Sequence, residues 1–89
     1  MQTNLDLIDA QPNALTVLAA LCLYTEKCAN MTQLENRLTL DTDDIEDTLK
    51  FLTEHEYIIE NPNSVFYIMN KGIEYVNQKT YSDFQLRWI

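Results

Sequence analysis

The chain has 89 residues, of which 46% are hydrophobic, so it is the size of one domain with one modest core. The chain has one Gly and two Pro, too few for the turns of a many-stranded sandwich. The same low content of Gly and Pro excludes the composition of a disordered linker. Fourteen acidic and six basic side chains give a net charge of −8. This charge repels phosphate backbones and anionic membranes, so a partner is expected to be basic. The alternative is that the charge serves only to keep the protein soluble.

A first helix is predicted over residues 12–24. Pro12 suits a first helical turn, and Ala14 and the residues after it are good helix formers. Apolar side chains nearly surround the axis of this helix, which indicates that it packs on more than one side. Burial in the domain core explains this pattern, and a dimer contact is the alternative.

A second, short helix is predicted over residues 32–40. Thr32 and Glu35 match a capping box, in which the two residues reciprocally bond the free backbone N–H groups of the first turn. Leu34 and Leu38 are four residues apart, so they share the apolar face of this helix.

A third helix is predicted to follow Asp41 as its N-cap. Ile45, Leu49 and Leu52 recur at spacings of four and three and form its buried face. Its first turn carries carboxylates, which the helix dipole stabilises. The exposed face, which we expect to bind protein, comprises Asp43, Asp44, Glu46, Asp47 and Lys50.

A β-hairpin is predicted over residues 57–59 and 65–69, which are rich in β-branched and aromatic side chains and flank the turn formers 61–64. Asn70 is then expected to cap a fourth helix that ends near Lys79. The apolar extension 80–89 is expected to dock on the same domain or on a second subunit. A dimer contact through the first helix and this extension would use Leu15, Leu18, Cys22, Phe84, Trp88 and Ile89.

The two cysteines do not indicate a disulfide framework, because Cys22 lies in an apolar run where a thiol behaves as a small hydrophobic group. The first ten residues contain Asp6 and Asp9 but no Lys or Arg, so they lack the charged start of a signal peptide. The longest apolar run is too short to span a bilayer. These features predict a cytoplasmic protein without membrane contact.

No catalytic residue, metal site or cofactor is expected. His55 is the single histidine, so zinc would lack the N or S ligands that it requires. The acidic run 41–47 lacks the Gly and the bidentate Glu of an EF-hand calcium loop. No Ser, Cys or Lys is recognisably paired with a base, and no glycine-rich phosphate loop occurs.

Two stretches carry a family resemblance. Residues 34–58 follow the pattern Leu34-x3-Leu38-x-Leu40-Asp41-x3-Ile45-x3-Leu49-x2-Leu52-x4-Tyr57-Ile58, and residues 67–76 place Lys71-Gly72 between a strand and a helix. Together they resemble the winged helix-turn-helix domain of bacterial and archaeal transcription regulators of the MarR or PadR kind. The resemblance covers residues 12–79 and implies one α+β, mainly α, domain over residues 1–89, with a three-helix core, a two-stranded hairpin wing and a C-terminal helix.

The chain departs from this family in two places. Glu56 stands where many members have a Gly that ends the third helix in a left-handed conformation. The resemblance also implies that the third helix presents Ser, Thr, Arg, Lys or Gln to DNA, but this chain has mainly carboxylates there. Residues 60–64 of the wing hold no Arg or Lys. Both DNA-reading elements therefore carry the wrong charge for a polyanion.

The function that we expect is that of a non-enzymatic regulatory protein whose acidic third helix contacts a basic protein surface. One alternative is a dimeric, sequence-specific DNA-binding regulator that uses Arg37, Lys50, Lys71 and Arg87. Another is an acidic inhibitor that mimics nucleic acid and blocks a DNA- or RNA-handling enzyme, as small phage proteins do. The predicted core comprises Leu18, Leu21, Leu34, Leu38, Ile45, Leu49, Leu52, Ile58 and Ile68.

Overall fold

The computed structural model describes residue 8 and residues 10–88, with side chains described as far as residue 79. In this part of the chain, four helices and one three-stranded antiparallel sheet form an α+β fold that is mainly helical, as predicted. In chain order the elements are α1 (Ala14–Leu23), β1 (Cys28–Asn30), α2 (Met31–Arg37), α3 (Thr42–Glu54), β2 (Ile58–Glu60), β3 (Val65–Ile68) and α4 (Asn70–Trp88).

Helix α1 is the central element of the fold. It contacts α2, α3 and α4 as well as strands β1 and β3. These contacts on several sides account for its nearly continuous apolar circumference, so the interpretation as a core helix is confirmed. The helix begins at Ala14 with Asn13 as its N-cap, and Pro12 therefore precedes the helix instead of lying in its first turn.

Helix α2 begins earlier than predicted and uses a different capping box. The Asn30 side chain accepts a hydrogen bond from the Gln33 backbone N–H at 2.8 Å, and the Gln33 side chain accepts one from the Asn30 backbone N–H at 2.9 Å. The predicted box of Thr32 and Glu35 is therefore wrong, because Asn and Gln provide the same reciprocal bonds two residues earlier. The helix also ends at Arg37, before the predicted Leu40.

Strand β1 was not predicted. It pairs with β3 in a sheet whose order is β1-β3-β2, and the rows of paired residues cross all three strands. One face of the sheet carries the row Cys28, Tyr67 and Ile59, and the other face carries the row Ala29, Phe66 and Glu60. The predicted hairpin is confirmed as β2 and β3, with bounds that differ by one residue.

At the end of helix α3, Glu56 adopts the left-handed conformation that many family members give to a Gly, with φ 67°. The Glu56 N–H donates to the Thr53 carbonyl at 3.2 Å, and the Tyr57 N–H donates to the Leu52 carbonyl at 2.9 Å. These two bonds form a Schellman motif, in which the left-handed residue is usually Gly. Glu56 thus holds a backbone conformation that its side chain disfavours.

We expect Glu56→Gly to raise the free energy of unfolding by about 0.5–1 kcal/mol. The left-handed conformation costs an L residue about 1–2 kcal/mol, and the greater freedom of Gly in the unfolded chain offsets about 0.4–1 kcal/mol of the gain. Urea unfolding measures the change. Glu54→Gly, inside the same helix, is the control and should lose about 1 kcal/mol; an equal loss for both variants would contradict the motif.

The buried core contains eight of the nine predicted residues. Leu38 is the exception, since it is half-buried after the last turn of α2. Thr48 is also fully buried, and its hydroxyl donates to the Asp44 carbonyl at 2.7 Å. The rings of Tyr57 and Tyr75 meet edge to face at 6.2 Å between centroids. The core therefore extends from α1 and α3 to the hairpin and α4.

Helix α4 continues to Trp88, well beyond the predicted end near Lys79. No Gly or Pro follows Gly72, so the sequence contains no strong signal that would end the helix. The predicted docking of Phe84, Trp88 and Ile89 concerns side chains outside the described residues.

Candidate functional site

Helix α3 presents its acidic side chains to solvent, as predicted. Its buried face consists of Ile45, Thr48, Leu49 and Leu52. All five residues predicted to bind a protein are exposed, namely Asp43, Asp44, Glu46, Asp47 and Lys50. Asp43 and Asp44 lie in the first turn, where the partial positive charge of the helix N-terminus stabilises them.

The exposed residues of α3 point in different directions around the helix. Asp43, Asp47 and Glu54 fall along one outward stripe, with Lys50 on the same stripe, because they are spaced by three or four residues. Glu46 lies on one edge of this exposed face, towards the hairpin, and Asp44 lies on the opposite edge. The predicted cluster therefore spans a wide arc of the helix, with Glu46 and Asp44 on its opposite edges.

A groove of about 590 Å³ lies between α3, the start of α2 and the hairpin, and we call it the α3–hairpin groove. Its walls join parts of the chain that are distant in the sequence. It is lined by Asn30, Met31, Thr32, Glu46, Leu49, Lys50, Thr53, Glu54, Glu60, Asn63, Ser64 and Phe66.

The groove has an apolar floor. Leu49 belongs to the buried core, and Met31 and Phe66 are half-buried and pack against it. Phe66 reaches the groove because it lies on the sheet face that carries the Ala29, Phe66 and Glu60 row. The same register brings the carboxylate of Glu60 to the hairpin side of the groove.

The rim of the groove is acidic. Glu46 and Glu54 stand on α3 and Glu60 on β2, and Lys50 is the one basic residue among the lining residues. Within the described residues, no hydrogen bond or ion pair occupies the three carboxylates. The groove therefore combines an apolar floor with negative charges from two different elements that are free to bind a cation.

The sequence predicted Glu46 and Lys50 to be binding residues but did not predict the groove that they line. Residues 60–64 were predicted as part of a hairpin wing without Arg or Lys, and not as a wall of a groove. Met31 and Phe66 had no functional signal, because an isolated apolar residue at the start of a helix or in a strand is most simply a core residue. The alternation of β3 was the available signal, since it places Phe66 and Tyr67 on opposite faces.

The predicted dimer contact is only partly compatible with the structure. Leu18 is fully buried inside the single chain and contributes no surface to a second subunit, so its assignment to a dimer contact is wrong. The cause is the central position of α1, which directs this side chain towards α4. Leu15 and Cys22 are half-buried and stay predictions.

Two further titratable groups, those of His55 and Cys22, do not line the groove. The ring of His55 lies 4.4 Å from that of Phe51, and its backbone carbonyl accepts a hydrogen bond from Lys71 at 2.9 Å, so the residue belongs to the end of α3. Burial raises the pKa of the Cys22 thiol, and nearby Lys27 lowers it to a smaller extent. The thiol is therefore less ready to ionise than a free cysteine.

Among the residues whose side chains are described, no three His, Cys, Asp or Glu lie together as ligands of a metal ion would. None of the helices within the described ranges combines the length and the apolar character that crossing a membrane requires. Comparison of the chain with family models, with curated proteins and with solved structures finds no match.

Proposed function

We propose that this chain is a winged-helix domain without a catalytic site that acts by binding a basic protein through α3. The order of its helices and its hairpin follows that of the families that the sequence resembles, in which the β2–β3 hairpin corresponds to the wing. Strand β1, between α1 and α2, adds a third strand that joins the hairpin to the helical core.

The observation that carries this proposal is the charge of the surfaces next to the hairpin. Winged-helix regulators gain affinity when their third helix neutralises phosphates and reads bases. Here the exposed side of α3 and the adjoining groove carry carboxylates from Asp43 to Glu60 and one cation, Lys50. Such a surface attracts a basic partner and speeds the encounter with it.

The DNA-binding alternative depends on Arg37, Lys50, Lys71 and Arg87, and two of these already have partners within the domain. The Arg37 guanidinium lies 4.9 Å from the centre of the Tyr24 ring and donates to its hydroxyl. The Lys71 ammonium donates to the His55 carbonyl and lies 4.4 Å from the centre of the Tyr57 ring. An electrophoretic mobility shift with random duplex DNA at low salt tests this alternative, and we expect no shift.

A nucleic-acid mimic is the second alternative, and the outward stripe that contains Asp43, Asp47 and Glu54 favours it by charge alone. This function differs from general protein contact in one measurable respect. A mimic competes with DNA or RNA for its target, so added duplex would displace the chain from a captured partner. If the partner keeps the chain bound at a saturating concentration of nucleic acid, the result supports the proposed function as a regulatory protein.

Neutralising four α3 residues with Asp43→Asn, Asp44→Asn, Glu46→Gln and Asp47→Asn should slow association with the basic partner about tenfold at low salt and flatten its salt dependence. Each substitution removes one negative charge, so the net charge changes from −8 to −4. The partner is first captured from an extract of the native host, and association is then followed by biolayer interferometry.

The control carries Glu26→Gln, Glu56→Gln and Glu74→Gln, which removes three exposed negative charges from residues that lie outside the bounds of α3 and do not line the groove. Association that slows equally in the control reflects net charge alone. Unchanged association in the α3 variant would show that this helix does not form the contact. Gain of promoter-specific DNA binding by that variant would favour the regulator.

A further inference from the structure

We propose that the α3–hairpin groove binds a short peptide segment of the partner that carries arginine beside an apolar side chain. This inference rests on the proposed protein-binding function and specifies where on the surface, and by which ligand chemistry, the contact is made. It moves the centre of the contact from the outer stripe of α3 to the groove beside it.

The shape of the groove favours a peptide segment over a flat protein surface. Its volume of about 590 Å³ is in the range of clefts that bind ligands. The groove lies between a helix and a hairpin and is open to solvent, so an extended segment can lie along it. Such a segment presents side chains to the groove at several successive positions.

The floor selects an apolar anchor. Met31, Leu49 and Phe66 form a surface on which an aliphatic side chain loses contact with water. Met31 is unbranched and adapts to ligands of different shape. Phe66 is half-buried and lines the groove, and an aromatic ring attracts a cation placed over its face.

The rim selects a cation on the same segment. Glu46 and Glu54 on α3 and Glu60 on β2 supply carboxylates from two different walls, and none of them has a partner in the described residues. Arginine fits this arrangement better than lysine, because its planar guanidinium pairs with carboxylates through two parallel bonds and stacks on aromatic rings. Phosphates, nucleotides and acidic peptides are repelled by the same rim.

Lys50 is the one feature of the lining that opposes a cation. It lies four residues from both Glu46 and Glu54, where its positive charge reduces the negative potential of the rim. Removing this charge is therefore expected to strengthen binding, whereas removing the charge of Glu46 or Glu60 is expected to weaken it. The opposite directions distinguish the groove from a site where Lys50 binds an anion.

The test measures fluorescence anisotropy of a labelled short peptide in which arginine alternates with leucine, added to the whole chain at low salt. The variant Glu46→Gln/Glu60→Gln should bind it about tenfold more weakly, since two exposed charge pairs are lost. The variant Glu26→Gln/Glu74→Gln, at two exposed residues outside α3, is the matched control. It makes the same change in net charge at residues that do not line the groove, and it should bind almost as well as the natural chain.

Two further peptides separate the floor from the rim. Replacing every leucine by serine keeps the charge and should weaken binding, because the anchor is lost. Replacing every arginine by glutamine should abolish binding, and Lys50→Gln should increase the affinity of the natural chain for the original peptide. In a two-dimensional amide NMR spectrum, the peptide should shift Thr32, Thr53 and Ser64 and leave Leu23 in place.

The outcomes separate the groove from the proposed function. Equal weakening by the two double variants, or no effect of the leucine-to-serine change, overturns the groove and leaves a diffuse acidic surface as the contact. A second outcome also overturns the groove alone. In this outcome a basic partner captured from the host binds the chain but the arginine peptide does not. Failure of both the peptide and every host protein to bind overturns the groove and the proposed function together.

Discussion

Replacing Gly72 with alanine is expected to lower the free energy of unfolding by about 1–3 kcal/mol, as overpacking of a well-packed core does. A Cβ at this position would lie 2.7 Å from the Tyr57 carbonyl oxygen, 2.8 Å from Cγ1 of Ile68 and 3.2 Å from Cδ2 of Leu18. The first contact is with backbone that cannot rotate away, because the same oxygen accepts a hydrogen bond from the Met69 N–H at 2.9 Å.

The expected loss opposes the intrinsic preference of the helix. Gly72 lies in the first turns of α4, and alanine at an unconstrained helical position would gain up to about 1 kcal/mol over glycine. Urea unfolding measures the net result. Glu74→Ala is the control, since its side chain is exposed in the same helix and its loss should stay within about 0.5 kcal/mol. A more stable Gly72→Ala variant would mean that α4 does not pack this closely on the hairpin.

Gly72 also shows what a sequence pattern can and cannot predict. The Lys71-Gly72 pair contributed to the family resemblance as a turn into the closing helix. The structure places Gly72 inside the helix and gives a different reason for glycine, namely the close approach of the Tyr57 backbone. A pattern can thus indicate that glycine is needed at a position without revealing which contact requires it.

The helices and the hairpin could be predicted because their signals are local. The spacing of Ile45, Leu49 and Leu52 defines one face of a helix, and the turn formers around Pro62 separate two strands. Strand β1 gave no such signal, because three residues are too few to show alternation and its formation depends on pairing with β3, far away in the chain. The capping box was misplaced because two overlapping polar patterns compete and the sequence does not rank them.

The candidate site was predictable in its charges and not in its shape. An exposed acidic face of α3 follows from periodicity, so Glu46 and Lys50 were identified correctly as surface residues. The groove requires Met31 from α2 and Phe66 from β3 to lie beside them, which the register of the sheet and the packing of the helices decide. Neither the register of the sheet nor the packing of the helices can be determined from a short stretch of sequence.

Leu18→Ala is expected to lower the free energy of unfolding by about 2–5 kcal/mol, the largest effect among these variants. Leu18 is fully buried on α1, and it lies close to Gly72 of α4, so truncation removes apolar contacts and leaves a cavity between the two helices. Because the residue is buried within one chain, the loss should not depend on protein concentration. Urea unfolding at several protein concentrations measures both quantities.

Leu23→Ala supplies the comparison for this result. Leu23 ends the same helix, but 69% of its surface is exposed, so its truncation should change the free energy of unfolding by less than about 0.5 kcal/mol. A loss for Leu18→Ala that grows with protein concentration would place this residue in a contact between two subunits, because dimer stability depends on mass action. A large loss that is constant with concentration places the same contacts within one domain, where Leu18 of α1 lies against Gly72 of α4.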